Sequence, residues 1–338
     1  MTVSIVCFGE LMLRLAAPGS ERLLQSPHLE VCFGGAEANV AGSLALLGHH
    51  SAMISTLPDN ALGRACMGEL RRCGIDTRAI RHGPGRMGLY FLEAGALQRP
   101  AEILYDRADS AFARAAAEVY DWHRLLQGAQ WLHLSGITPA LSAAAAQAAL
   151  NAVRVAGELG LRISFDCNIR MKLWAARIGD ASAILRELAQ RSHVLFGNER
   201  DIALMLGLSF AQTTGIERFR AAIAAAFETW PTLEYIAATE RSHISVDHQE
   251  LGGWLATRED LHVSRRYVLQ GIVDRIGGGD AFAAGLLHGL IKGMDAGVAL
   301  EFAVAAGVLK HSIPGDVNRV MEPEVLALLE HGSLDVRR

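Results

Sequence analysis

The residues whose types and spacing best suit chemistry lie late in the chain, in Asp274-Arg275-Ile276-Gly277-Gly278-Gly279-Asp280-Ala281-Phe282. Three consecutive glycines run into an apolar stretch with helical periodicity over 281–291. Glycine allows a tight turn and lets a ligand approach the backbone with no Cβ in the way. The start of the helix offers unpaired N–H groups and the positive end of a dipole, a setting suited to an anion. Asp280 stands at that junction, where its carboxylate is either a helix cap or a chemical base.

Four other polar clusters follow strand-like runs: Gly9-Glu10, Asp166 with Asn168 and Arg170, Asn198-Glu199, and Thr239 with Arg241. Each alone has a structural reading as a cap, a first-turn acid or a surface charge. Five polar strand ends on one sheet edge point to a ligand site, since open α/β sheets bind ligands beyond the carboxyl ends of their strands. Other motifs are excluded. Gly83-Pro84-Gly85-Arg86-Met87-Gly88 spells GxGxxG but precedes a strand pattern and opens no helix, so it is no dinucleotide site. No P-loop, HExxH, paired CxxC or GxSxG occurs. His49, His50, His243 and His248 read as surface residues.

The elements that would position these groups follow from periodicity. Residues 3–9 read as a buried strand, 11–15 and 28–33 as two further strands, 36–47 as a helix, 52–57 as a strand and 64–73 as a helix. Strand patterns at 88–94 and 102–107 have no helix between them. Segments 11–33 and 86–107 therefore predict a small antiparallel sheet standing off the main body, a lid that covers a site or pairs with another subunit. From 131 on the rhythm is βα: strands at 131–134, 162–165, 194–196 and 235–238, helices at 142–158, 181–190, 201–206 and 217–229, strand pieces at 243–246 and 253–256, and two closing helices at 281–292 and 295–310. That alternation predicts a doubly wound, mainly parallel α/β sheet flanked by helices, with residues 1–338 as one domain.

Composition narrows the class. A chain of 338 residues with 51% hydrophobic and 20% charged residues is expected to be a soluble globular protein, and a formal charge of -4 gives no reason to expect nucleic acid. Five scattered cysteines without CxxC read as reduced core thiols of a cytoplasmic protein. The N-terminus opens on a strand pattern and not on a signal peptide, and the apolar run 298–309 is too short to span a membrane.

These residues carry a family resemblance. Gly277-Gly278-Gly279-Asp280 resembles the C-terminal signature D-T-x-G-A-G-D of the ribokinase-like (PfkB) carbohydrate kinases, and Phe33-Gly34-Gly35-Ala36-Glu37-Ala38-Asn39-Val40-Ala41 resembles that family's other signature. The likeness runs over about 3–329, and within the family it is to the 2-keto-3-deoxygluconate kinases, through segments 105–111, 135–141, 166–174 and 311–316. The resemblance implies ATP-dependent phosphoryl transfer to the 6-hydroxyl of 2-dehydro-3-deoxy-D-gluconate. It makes Asp280 the base and the N–H groups of Gly277, Gly278, Gly279 and Asp280 the anion hole, an arrangement that suits a reaction needing charge stabilisation above all. It places Gly34, Gly35, Asn39, Tyr90, Tyr105, Arg107, Ile137, Arg170 and Asp316 on the substrate. It places Asn168, Arg170, Asn198, Thr239, Arg241, Gly277 and Gly279 on ATP. Glu199 would organise Mg²⁺ through water. Asp201 stands where the family's N-x-x-E segment carries a longer glutamate.

Two arginines near one ligand favour an anionic sugar acid, since arginine binds a carboxylate bidentately. The alternative is that Arg170 serves the ATP phosphates and Arg107 a lid ion pair. Arg275 and Ile276 replace two threonines of the common pattern while Asp274 remains, which leaves open a monovalent-cation (K⁺) site beside the anion hole. The nucleotide loop 238–242 lacks the usual glycines. An exposed lid face implies a homo-oligomer through that sheet. The rival readings are a kinase of 2-dehydro-3-deoxygalactonate, fructose or 5-dehydro-2-deoxygluconate, and a non-catalytic sugar-acid sensor.

Overall fold

The computed structural model describes residues 4–330, so Val3, expected at the head of the first strand, lies outside them. In chain order the strands are β1 (Ser4–Phe8), β2 (Met12–Ala16), β3 (Glu30–Gly34), β4 (His50–Pro58), β5 (Ile80–Gly83), β6 (Gly88–Glu93) and β7 (Glu102–Asp106). They continue with β8 (Trp131–Ser135), β9 (Arg162–Asp166), β10 (Val194–Phe196), β11 (Tyr235–His243), β12 (His248–Ala256), β13 (Leu261–Val263) and β14 (Tyr267–Gln270). The large sheet has the order β13-β12-β11-β10-β9-β8-β1-β4-β5, with β14 paired to β12. Every pair from β11 to β5 is parallel, and β12 joins β11, β13 and β14 antiparallel.

The central strands are buried on both faces, as strands covered by helices on each side must be; β1 and β10 are apolar on both, while β8 and β9 pair the buried His133 and Ser164 on one. Val6, Phe8, Leu132, Leu134, Ile163 and Phe165 point into one core, against the Ala143–Glu158 helix and its neighbours. Ile5, Cys7, Met53, Trp131, Val194 and Phe196 point into the other. That second core holds the helices α1 (Ala36–Leu46) and Gly278–Ile291, both apolar on nearly every side and buried accordingly. Side-chain caps set several helix starts: Asn60 accepts from the Gly63 N–H, and Ser142 from the Ala145 N–H at 3.0 Å.

Four strands form the lid sheet, in the order β3-β2-β6-β7. It was expected to be antiparallel and is mixed: β2–β3 and β6–β7 are antiparallel, but β2 and β6 run parallel. The reason is topological. β2 leaves the large sheet after β1 and β6 leaves it after β5, and those two strands run in the same direction through β4.

Other differences have local causes. β11 extends to His243, so Thr239 and Arg241 lie within a strand and not at its end. Pairing with β12, Thr239 to Gly253 and Arg241 to Leu251, overrides a polar run that reads as a loop. The strand expected at 243–246 is mostly the turn of that hairpin. β5, β13, β14 and the last helix, Glu322–Glu330, are short or weakly patterned and had no counterpart in the periodicity. His49, expected on the surface, is 8% exposed, with its Nε2 2.9 Å from Nδ1 of the buried His288. Burial lowers its pKa to about 4. No described helix is long and apolar enough to cross a membrane.

Candidate active site

A cavity of about 710 Å³ opens at the carboxyl ends of the parallel strands and beneath the lid. Its floor is made by residues just past those ends: Ile137 after β8, Asp166 and Asn168 at β9, and Gly197 and Asn198 after β10. The glycine turn and Asp280 form one wall, and Tyr90, Tyr105 and Arg107 come down from the lid.

Asp280 is the third residue of the Gly278–Ile291 helix, and no side chain caps that helix. The carboxylate Oδ2 instead accepts a hydrogen bond from Asn39 Nδ2 at 2.7 Å, from the first turn of α1. Burial pushes its pKa up to about 7; Asp316 and Glu37 add to the shift, while Asn39 and Arg170 oppose it. Such a carboxylate has the basicity of a general base working near neutral pH. Beside it Asp166 is pushed up to about 8, by burial first and then by Asp280. Asp166 Oδ1 accepts the Asn168 N–H at 3.0 Å, and Asn168 is bent to a φ of 36°, in the left-handed region that asparagine tolerates.

Gly277 and Gly35 are required by fit. Gly277 has a φ of 79°, and a Cβ there would lie 1.9 Å from the Asp316 carbonyl oxygen. A Cβ on Gly35 would lie 2.3 Å from the Glu10 carbonyl oxygen. At Gly279 the same atom would meet nothing within 4 Å, because that position faces open space. The N-terminal end of the helix is thus bare backbone turned to the cavity, a setting for an anion.

Arg107 is 6% exposed and is held by Glu10, whose Oε2 accepts from Nε at 2.7 Å; Ser110 occupies the other Glu10 oxygen. The lid ion pair therefore exists, yet Arg107 Nη1 is buried without a protein partner. Asn39 Oδ1 is unpartnered in the same way. Both residues line the cavity, so its walls contain one unpaired buried donor and one unpaired buried acceptor, groups that native structures seldom leave without a partner. Arg170 is exposed and lines the same cavity.

Asp316 lines the cavity, but both its oxygens are engaged. Arg14 Nη1 donates to Oδ1 at 3.0 Å and the Tyr90 hydroxyl donates to Oδ2. Arg14 also bridges to Asp274 at 2.7 Å. Asn198 and Asp201 form a reciprocal capping box on the Glu199–Leu206 helix, with Asp201 Oδ2 accepting the Asn198 N–H at 2.9 Å.

Of the residues anticipated for the site, Gly35, Asn39, Tyr90, Tyr105, Arg107 and Ile137 line this one cavity. So do Asn168, Arg170, Asn198, Asp201, Thr239 and Arg241, and Asp316 with the whole stretch from Gly277 to Asp280. Two are not brought in. Gly34 packs against the Asp316 carboxylate, and Glu199 is the first residue of its helix, off the cavity wall. Sequence reasoning missed Arg14, Glu37 and Arg275. Glu37 is 2% exposed, and its Oε1 accepts from Ser135 N, Ser135 Oγ and Thr138 Oγ1 at 2.7–3.0 Å, tying α1 to the end of β8. Its signals were its place in the N-terminal signature and a charge within an apolar run. Arg275 lines the cavity beside Arg241, whose pKa falls to about 10 through burial and that neighbouring charge.

Residues 3–321 match the model of the pfkB family carbohydrate kinases. The chain is 33% identical over 338 residues, all of both chains, to the 2-dehydro-3-deoxygalactonokinase of Haloferax volcanii. It is 26% identical over 328 residues to the 2-dehydro-3-deoxygluconokinase of Bacillus subtilis, covering 97% of this chain and 95% of that one. The crystal structure of the 2-dehydro-3-deoxygluconokinase from Thermotoga maritima superposes with a TM-score of 0.92 at 38% identity, over 96% of this chain and 99% of the other. The chain therefore belongs to the pfkB family of carbohydrate kinases and has their ribokinase-like α/β fold with its separate small sheet.

Proposed function

We propose that this carbohydrate kinase transfers the terminal phosphoryl group of ATP to the 6-hydroxyl of 2-dehydro-3-deoxy-D-gluconate. The observation that carries this reading is the pair of unpartnered buried atoms in the cavity that holds Asp280. Asn39 Oδ1 is an acceptor for a sugar hydroxyl, and Arg107 Nη1 is a donor for a carboxylate oxygen. Because Glu10 balances the charge of Arg107, the net positive charge facing the acid comes from Arg170.

In this reading Asp280 takes the proton of the attacking hydroxyl, and Asn39 fixes the orientation of its carboxylate. The N–H groups of Gly277 to Asp280 face the transferred phosphoryl oxygens, where preorganised donors lower the barrier. With no P-loop lysine, Arg241 and Arg275 meet the remaining phosphate charge, and Thr239, Asn168 and Asn198 border the nucleotide. Asp166, Asn198 and Asp201 line the cavity and would meet Mg²⁺ through its waters, since Asn198 Oδ1 and Asp201 Oδ2 already serve the capping box. That ion, bound with ATP, would supply neutralisation of phosphate charge. The role first given to Glu199 passes to these residues. Tyr90, held by Asp316, Gly35 and Ile137 shape the sugar pocket. The lid's edge strand β7 is exposed along its whole length, and it is where a second copy of the chain would pair.

One observation favours a second acceptor, 2-dehydro-3-deoxygalactonate: the full-length likeness to the Haloferax volcanii enzyme of that name. The two sugars differ in one hydroxyl configuration. The test is ATP turnover over both keto acids, 5-dehydro-2-deoxygluconate and fructose, with ³¹P detection of the phosphorylated position. The proposal expects the highest kcat/KM on the gluconate form. Preference for the galactonate form would replace it by the second reading, and turnover on fructose alone would overturn both.

A further inference from the structure

Lys310 ends the Ala296–Lys310 helix and is completely buried, in a chain with only three lysines. An ammonium is costly to remove from water unless oxygens replace its hydration. Here they do. Nζ donates to the Ile313 carbonyl at 2.9 Å and lies 3.4 Å from the Asp274 carbonyl. A lysine that merely closes its own helix would bond that helix's last carbonyls, whereas Asp274 is 36 residues away in sequence, at the head of the glycine turn.

Both carbonyls belong to the frame of the anion hole. Asp274 leads into the glycine turn, its Oδ1 accepting the Ile276 N–H at 2.9 Å and its Oδ2 the Gly315 N–H at 3.0 Å. The segment from Ile313 to Asp316 backs the same turn, since the Asp316 carbonyl oxygen lies 1.9 Å from where a Gly277 Cβ would be and Lys310 Cε 3.4 Å from that point. The charges facing the ammonium are Asp274, Asp316 and Asp280, with Arg14 opposing them. Main-chain carbonyls converging beside carboxylates are the ligand set of a monovalent cation.

We propose that the Lys310 ammonium is a tethered cation in that position. It clamps the Asp274 and Ile313 segments so that the N–H groups of Gly277 to Gly279 face the cavity, and it adds positive charge behind them. Lys310 is thus a positioning residue, and the kinase works without K⁺. The inference rests on the phosphoryl-transfer reading above, because only that reading gives the anion hole its task.

The test is steady-state turnover of 2-dehydro-3-deoxygluconate with Mg-ATP, in choline buffer free of K⁺, Na⁺ and NH₄⁺ and then at about 0.1 M KCl, where screening is equal if ionic strength is matched. For the unaltered enzyme kcat is expected to change less than about twofold, against the roughly hundredfold that loss of one oxyanion donor costs. Lys310→Met should lower kcat by about ten- to a hundredfold with both KM values nearly unchanged, and no salt should restore it. Lys310→Ala leaves room for an ion, so K⁺ or NH₄⁺ should recover part of kcat while Li⁺ and choline do not. Strong K⁺ activation of the unaltered enzyme would overturn the inference, as would a Lys310→Met enzyme with full kcat. If the variants do not fold, the salt response of the unaltered enzyme decides alone. Absence of turnover on every sugar in every salt would overturn the kinase reading itself, a different result from K⁺ dependence.

Discussion

At about pH 6 most of the free Asp280 carboxyl is protonated, because burial lifts its pKa to about 7. In the proposed mechanism Asp280 acts as base in its ionised form, so kcat/KM should rise with pH through about 7 and level off above about 8, where the raised Asp166 has also ionised. A pH profile flat from 5 to 8 would remove Asp280 from the proton transfer. Stability runs the opposite way. A carboxyl whose folded pKa is raised above 3.8 favours folding at low pH and loses that contribution as pH climbs through about 7. Asp280→Asn should therefore stabilise the fold more at pH 8 than at pH 4, read as a larger rise in melting temperature at pH 8. Arg107 and Glu10 need a paired test. Arg107→Met strands a buried carboxylate and should cost about 3–5 kcal/mol. Adding Glu10→Gln should return most of that stability but not the keto-acid KM, raised about ten- to a hundredfold by the loss of Nη1. Recovery of KM in the double variant would assign Arg107 to the lid alone.

At the scale of elements, the glycine turn and the Asn198–Asp201 capping box make separable predictions. Gly277→Ala forces a side chain into a φ of 79° and against the Asp316 carbonyl. The backbone term alone is about 1–2 kcal/mol, and the shifted turn should depress kcat far more than either KM. Asp201→Ala removes half of the capping box, worth about 1 kcal/mol of stability. A tenfold or larger rise in the Mg²⁺ concentration needed for half activity would show a second role, and an unchanged requirement would leave Asp201 a cap. The elements themselves were legible where sequence and burial share one period. β1 is apolar on both faces, β8 and β9 alternate apolar and polar residues, and α1 and the Gly278–Ile291 helix open at Gly35 and Gly277, where a Cβ would meet a carbonyl oxygen. Elements set by partners were not legible. β11 runs through Thr239-Glu240-Arg241-Ser242 because β12 pairs with it, and β2 lies parallel to β6 because of the route of the chain between them.

At the scale of the whole molecule, the site joins residues from opposite ends of the chain. Asn39 meets Asp280 across 241 positions, Tyr90 meets Asp316 across 226 and Arg14 meets Asp316 across 302. The motifs announced the first pair's members one by one. Arg14 sits in a strand of alternating leucines and carries no local mark of its task, and neither does Lys310 at the end of an apolar helix. Only the closed fold shows that their charges converge behind the glycine turn. The lid completes the cavity from one side, and its bare edge strand β7 belongs to the same scale. Replacing Leu104, 59% exposed on that strand, by lysine should shift a dimer toward monomer in sedimentation if two lids pair there. The central claim, that Asp280 takes the hydroxyl proton in a cavity built to bind the sugar acid without it, is met most directly by Asp280→Asn. Its turnover and its calorimetric binding of 2-dehydro-3-deoxygluconate should be measured on the same preparation. The account predicts a kcat lower by about 10²–10⁴-fold with a dissociation constant within a few-fold of the unaltered enzyme's. Turnover at the unaltered rate, or loss of binding in step with loss of turnover, would contradict it.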